Sequence, residues 1–332
     1  MPAASAIGAA SEYFKRAINL PNWNFISVTD FTDVSNDGDT MNRKLVMAIM
    51  VAAMLIFTAC QATSNTPASG SVEIPDATYI TVKSGRDITI DSEGTYVLSG
   101  TATETEIIVD AGDDDVVELV LDGLDITNSD KSAIYVINAD SVSVSFFGSN
   151  TLKVTGKFSE DTNANAVIYS KSDLILDGTG TLRIESSDAG IKTKDNLKLA
   201  GGSFVVNVEG DGIHATETIV IDDGEFDISA AEGLEAAVIC INGGNITIDA
   251  SEDGINASQK SDAYSVLFEM NGGYVKITMA EGDTDGVDSN GDIIINGGTI
   301  DITGQSTFDY DGTAEYNGGT IIENGDITHS GF

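Results

Sequence analysis

Residues 190–211 read GIKTKDNLKLAGGSFVVNVEGD, and they are followed by GIHATETIVIDDGEFDISAAE (212–232) and GLEAAVICINGGNITIDASED (233–253). Each segment opens on glycine and an aliphatic residue. It then runs through a short alternating stretch, such as Leu197-Lys198-Leu199 or Ile219-Val220-Ile221, to a second glycine motif. The second glycine recurs at 180, 202, 224, 244, 273, 298 and 319. The opening pair recurs as Gly190-Ile191, Gly212-Ile213, Gly233-Leu234, Gly254-Ile255 and Gly286-Val287. An apolar spacing of two excludes helical repeats, and a leucine-rich repeat would hold Leu at fixed places. A period of about 21–22 residues with three short strands per unit predicts an all-β chain, a right-handed parallel β-helix with coils about 4.8 Å apart. A flat antiparallel sandwich would leave the register of the glycines unexplained. Residues 72–130 alternate more weakly and supply the first coils, so that 72–332 would make about twelve.

Outward from the repeat, composition narrows the partners. The 332 residues carry 16 Lys and Arg against 53 Asp and Glu, a formal charge of −37. Such a chain lacks the basic clusters that hold phosphate backbones, so no nucleic acid is expected. With 41% hydrophobic residues it is too apolar to be disordered. Leu45 to Ala59 is one uncharged run behind Met41-Asn42-Arg43-Lys44. At about 1.5 Å per residue it is too short for the ~30 Å hydrocarbon core, and its pattern is that of a secretory signal. Its end, Phe57-Thr58-Ala59-Cys60, resembles the bacterial lipobox, which implies cleavage before Cys60 and a lipid on that cysteine.

Residues 41–59 are therefore expected to be a lipoprotein signal peptide, 60–71 a lipidated cysteine with a polar tether, and 72–332 the β-helix domain. The mature protein would be exported and anchored in a bilayer at the bacterial cell surface. Residues 1–40 precede a segment that normally begins a precursor, so translation is expected to start at Met41, with 1–40 outside the protein. Only Cys240 remains after Cys60, so no intrachain disulfide is expected, and the domain is expected to be a monomer.

A coil-by-coil repeat turns each register position into a column. The residue after the opening aliphatic should face outward, because successive strand residues alternate. That column reads Tyr135, Tyr169, Lys192, His214, Glu235, Asn256 and Asp288. Rings beside hydrogen-bonding groups at about 5 Å steps suit a stretched polysaccharide, so Tyr135, Tyr169, Lys192, His214, Glu235 and Asn256 are the expected carbohydrate contacts. A second column precedes the glycine: Asp211, Glu232, Asp253 and Asp285. Stacked carboxylates repel, and 199–332 contains only Lys260 and Lys276 as basic residues. Oxygen ligands in excess select Ca²⁺. The expected metal ligands are Asp211, Glu232, Asp253, Asp283, Asp285, Asp288 and Asn290, the last four from the dense stretch GDTDGVDSNGD (282–292). AGDDD (111–115) and FDYDG (308–312) are weaker versions. His214 and His329 lie far apart, so zinc is not expected, and no nucleophile elbow, phosphate loop or HExxH motif occurs.

The runs AGDDDVVELVLDGLDITNSD (111–130), IYSKSDLILDGTGTLRI (168–184), GIKTKDNLKLAGGSF (190–204) and GVDSNGDIIINGGTIDI (286–302), with FDYDG, together resemble a bacterial family of carbohydrate-binding β-helix lipoproteins. The resemblance covers roughly 75–332. It implies a polysaccharide-lyase-like fold, bound calcium, and binding of cellulose or acidic polygalacturonate-type polysaccharide. A cell-surface binding protein for pectic or cellulosic glycan is the expected function. The alternative is a Ca²⁺-dependent polysaccharide lyase, in which Lys192 or Lys194 would abstract the proton beside a uronate carboxylate.

Overall fold

In the coil Gly212–Glu232, every second residue of each short strand is aliphatic or Phe, and these side chains turn to one interior. The computed structural model describes residues 72–159, 164–259, 263–282 and 284–328. Among them all regular structure is β-strand. The signal-like segment, the tether and Cys60 lie outside the described residues, as do Asp283 and His329. The described residues form one compact unit.

Each coil passes through three faces. In one coil these are Ala189–Thr193, Leu197–Leu199 and Ser203–Val208, and the chain then enters the next coil at Ile213–Ala215. We call the faces third, first and second in that order. Strands pair in parallel with their counterparts one coil away: Ile191 with Ile213, Ile213 with Leu234, Leu234 with Ile255, and Ile255 with Val287. The chain is a parallel β-solenoid. The first and second faces merge into one 20-stranded sheet because two long strands, Gly94–Thr103 and Val116–Asn128, run through the corner between them. The third face is a separate 10-stranded sheet.

Ten coils replace the twelve expected. Ile134 pairs with Ile168 and Ile255 with Val287, so two coils carry long corner insertions that consume chain without adding a layer.

Inward residues form continuous columns. Leu182, Phe204, Phe226, Ile246, Val275 and Ile300 make one on the second face, all at most 3% exposed. Phe204 stacks on Phe226 with centroids 4.7 Å apart, and Phe146 meets Phe204 edge-on at 5.1 Å. Two glycine columns set the corners. At Gly254 a Cβ would lie 2.4 Å from Ile277 Cγ2 and 2.6 Å from the Gly286 oxygen, so the opening glycine is demanded by close approach of the next coil. At Gly244 the backbone is left-handed, with φ 88°.

The asparagine of the Asn-Gly-Gly motif has its own use. Asn242 donates to Asp222 at 2.9 Å, Asn271 to Asn242 at 3.0 Å, Asn296 to Asn271 at 2.8 Å and Asn317 to Asn296 at 2.9 Å. This amide ladder satisfies the turn side chains along five successive corners.

Candidate functional site

The third face carries the two polar columns. Backbone pairing sets Tyr135 beside Tyr169, then Lys192, His214, Glu235, Asn256 and Asp288 in one row on successive coils. The row continues to Asp309, which pairs with Asp288. Phe308-Asp309 repeats the inward-then-outward pair with Phe for the aliphatic residue, a signal present in FDYDG but read only as an acidic turn. The second column is equally regular. Gly190 N–H donates to the backbone carbonyl of Asp211, Gly212 to that of Glu232, Gly233 to that of Asp253 and Gly254 to that of Asp285, each at 2.8–3.1 Å.

The row is not a uniformly exposed surface. Tyr135 and Tyr169 are only 7% and 3% exposed. They meet edge-on at 5.7 Å and form a small apolar cluster with Ala164, Ala166 and Ala189. Lys171 Nζ stands 5.4 Å from the centre of the Tyr135 ring. The expected ring platform for sugars is thereby corrected: neighbouring small residues and Ala164, from the corner insertion, close over the rings. His214 and Glu235 are also buried, whereas Lys192, Asn256 and Asp288 are half-buried.

Charge is arranged along the row rather than scattered. Lys192 Nζ lies 3.6 Å from Asp211 Oδ2, and His214 Nδ1 lies 3.3 Å from the same oxygen while contacting Glu235 Oε2. Protein cations thus relieve the first rung of the acid column, contrary to the expectation that none would. The hydrogen bond from His214 leads in holding Asp211 below the usual carboxylate range, against burial and with help from Lys192. Burial pushes the imidazole down, but its bonds to Asp211 and Glu235 outweigh this, and its pKa is raised.

Among the described residues of the row, no cation follows His214. Glu232 is pushed up to about 7 by burial and by Glu235, Asp211 and Asp253. Asn256 Nδ2 donates to Glu232 Oε1 at 3.1 Å, yet Glu232 Oε2, Asn256 Oδ1 and Ser258 Oγ are each enclosed with no hydrogen-bond partner among the described residues. Asp285 N–H donates to Asp253 Oδ1 at 2.9 Å. Asp288 is pushed up to about 6 by burial and by Asp253, Asp285, Asp309 and Asp311.

The remaining expected residues fall elsewhere. Asn290 is exposed past the end of the strand Asp285–Ser289. Asp292 opens a first-face strand and accepts from Thr313 N–H and Oγ1 at 2.7 and 2.9 Å, so GDTDGVDSNGD is divided between two faces. In AGDDD, Asp115 accepts from Gly112 N–H at 2.9 Å and Asp113 from Asn138 at 2.8 Å, which is turn chemistry. Lys194 is exposed beyond the strand Ala189–Thr193, whereas Lys192 is held in its ion pair with Asp211.

A family described as "Carbohydrate-binding domain-containing protein" matches residues 84–321. A protein of that description from Acetivibrio thermocellus is 30% identical over 186 residues, spanning 49% of this chain and 65% of that protein. The solved structure of a polysaccharide lyase-like protein from C. thermocellum, a gadolinium derivative, matches with a TM-score of 0.55 and 25% identity. That match covers 74% of this chain and 96% of the other.

Proposed function

The chain belongs to the carbohydrate-binding domain-containing family, and from that membership we propose that it binds acidic, pectic-type polysaccharide at the third face through Ca²⁺. The observation that carries this reading is the pair of enclosed oxygens without a partner among the described residues, Glu232 Oε2 and Asn256 Oδ1, beside Asp253, Asp285 and Asp288. A set of oxygen donors with excess negative charge selects a hard cation such as Ca²⁺. A uronate carboxylate is repelled by this face unless a cation lies between the two carboxylates, so calcium and glycan are required together. Lys192, half-buried at the other end, supplies a donor for glycan oxygens.

Export and a lipid on Cys60 complete the proposal. Cys60→Ser would move the protein out of the membrane fraction, which cell fractionation reads.

Affinity electrophoresis through polygalacturonate, with Ca²⁺ or with chelator, tests the binding. Retardation that disappears with chelator, and weakens in Glu232→Gln and Asp253→Asn, is expected. Retardation by cellulose alone, unchanged by chelator, would overturn both the ligand class and the metal. Ultraviolet absorbance of unsaturated uronate in the same mixture separates binding from lyase cleavage.

A further inference from the structure

We propose that Asp211, His214 and Glu235 form a site for one first-row divalent transition-metal ion, such as Zn²⁺, distinct from the oxygen-only positions farther along the row. Their ligand atoms, His214 Nδ1 and one oxygen from each carboxylate, lie within 4.8 Å of one another. Among the described residues it is the one His, Cys, Asp and Glu group so disposed. The placement follows from the solenoid. Asp211 precedes the strand Ile213–Ala215, His214 is on it, and Glu235 stands opposite His214 one coil away. His214 and Glu235, carried on paired strands, are held in position before any ion arrives.

The donor chemistry separates this site from the calcium reading. An imidazole nitrogen with two carboxylates suits Zn²⁺, Mn²⁺ or Co²⁺, whereas Ca²⁺ prefers oxygen alone. The expectation against zinc rested on the distance between two histidines. Carboxylates from adjacent coils remove the need for a second one.

The His214 and Glu235 side chains are 9% and 8% exposed and Asp211 is 24% exposed, so the site is sheltered but reached from one side. Asp211 has two carboxylate oxygens, so one can ligate while the other keeps Lys192. The next carboxylate of the acid column belongs to the oxygen-only positions and marks where this site ends. Glu232 stands one rung from Asp211 in the acid column, with Oε2 enclosed and without a partner among the described residues.

The test uses the full chain, stripped of metal and titrated with Co²⁺ by visible absorption and with Zn²⁺ by calorimetry. One equivalent should bind, with ligand-field bands unlike those of the hexaaqua ion, and a 100-fold excess of Ca²⁺ should not displace it. His214→Gln and Glu235→Gln should each weaken Zn²⁺ at least tenfold. Asp288→Asn should leave Zn²⁺ affinity within twofold, which separates this site from the calcium positions. A wild-type Co²⁺ spectrum identical to the free ion, or Zn²⁺ binding indifferent to His214→Gln, would show that the three residues are an ion-pair network only. The wild-type spectrum decides even if a variant fails to fold. Neither result depends on whether the protein binds polysaccharide.

Discussion

Glu232 is buried beside Glu235, Asp211 and Asp253, and that crowding of carboxylates, only partly offset by the hydrogen bond from Asn256, sets how the molecule responds to pH. Its pKa is raised to about 7, so the folded chain retains a proton there that the unfolded chain releases near 4.5. Asp288 behaves in the same way, with a folded value of about 6 against 3.8. Stability therefore falls as pH rises through roughly 4 to 7, because the native state binds more protons over that window. His214 acts in the same direction. Its pKa is raised, so its contribution is full below 6.5 and is lost as pH climbs through the folded value. Asp211, held low, loses its contribution only on strong acidification. Metal-free protein should show its highest denaturation midpoint near pH 4, a lower one at pH 5 and a lower one still at pH 8, and added divalent cation should reverse the trend. A midpoint that climbs from pH 5 to 8 in chelator would contradict this.

At the same scale, Tyr169→Ala should cost about 3 kcal/mol in urea denaturation, as for other buried rings, since the ring packs with Tyr135 and Ala189. The row itself was legible from residue order, because register is periodic. The covering of its rings was not, since Ala164 reaches them from an insertion outside the period.

The strands were legible because inward and outward residues alternate without a break, as in Ile219-Val220-Ile221. The corners were less so. Asn-Gly-Gly announced a turn, but the sideways donation from each amide to the asparagine or aspartate one coil away depends on stacking, which a linear reading registers only as recurrence. GDTDGVDSNGD misled for a related reason. Its residues are neighbours in sequence, but Asp288 and Asp292 stand on different faces because the chain turns a corner between them. The opening glycine gives the sharpest test of an element. Gly254→Ala places a methyl 2.4 Å from Ile277 and 2.6 Å from the Gly286 carbonyl, and neither the core nor the ladder has room to yield. A loss of about 3 kcal/mol is expected, read as a drop in denaturation midpoint. Gly123→Ala, where nothing lies within 4 Å but φ is 66°, should cost only about 1 kcal/mol, the backbone penalty alone.

Over the whole solenoid, stability comes mainly from each coil meeting the one before and the one after. The contacts of Gly212, Gly233 and Gly254 with the following coil are near copies of each other, each Cβ position lying 2.4–2.8 Å from the carbonyl of the next opening glycine. Excising residues 213–233, one period by the pairing of Ile213 with Leu234, should therefore rejoin Gly212 to Leu234 and leave a folded, cooperative protein. Circular dichroism of the shortened chain should keep the β spectrum, and loss of cooperative melting would show that the coils are not equivalent. The close approach that forbids a side chain at these glycines also makes each turn of the chain a spare part. Such a gene can gain or lose a period by duplication without redesign of the interior, lengthening or shortening its span by one strand spacing at a time.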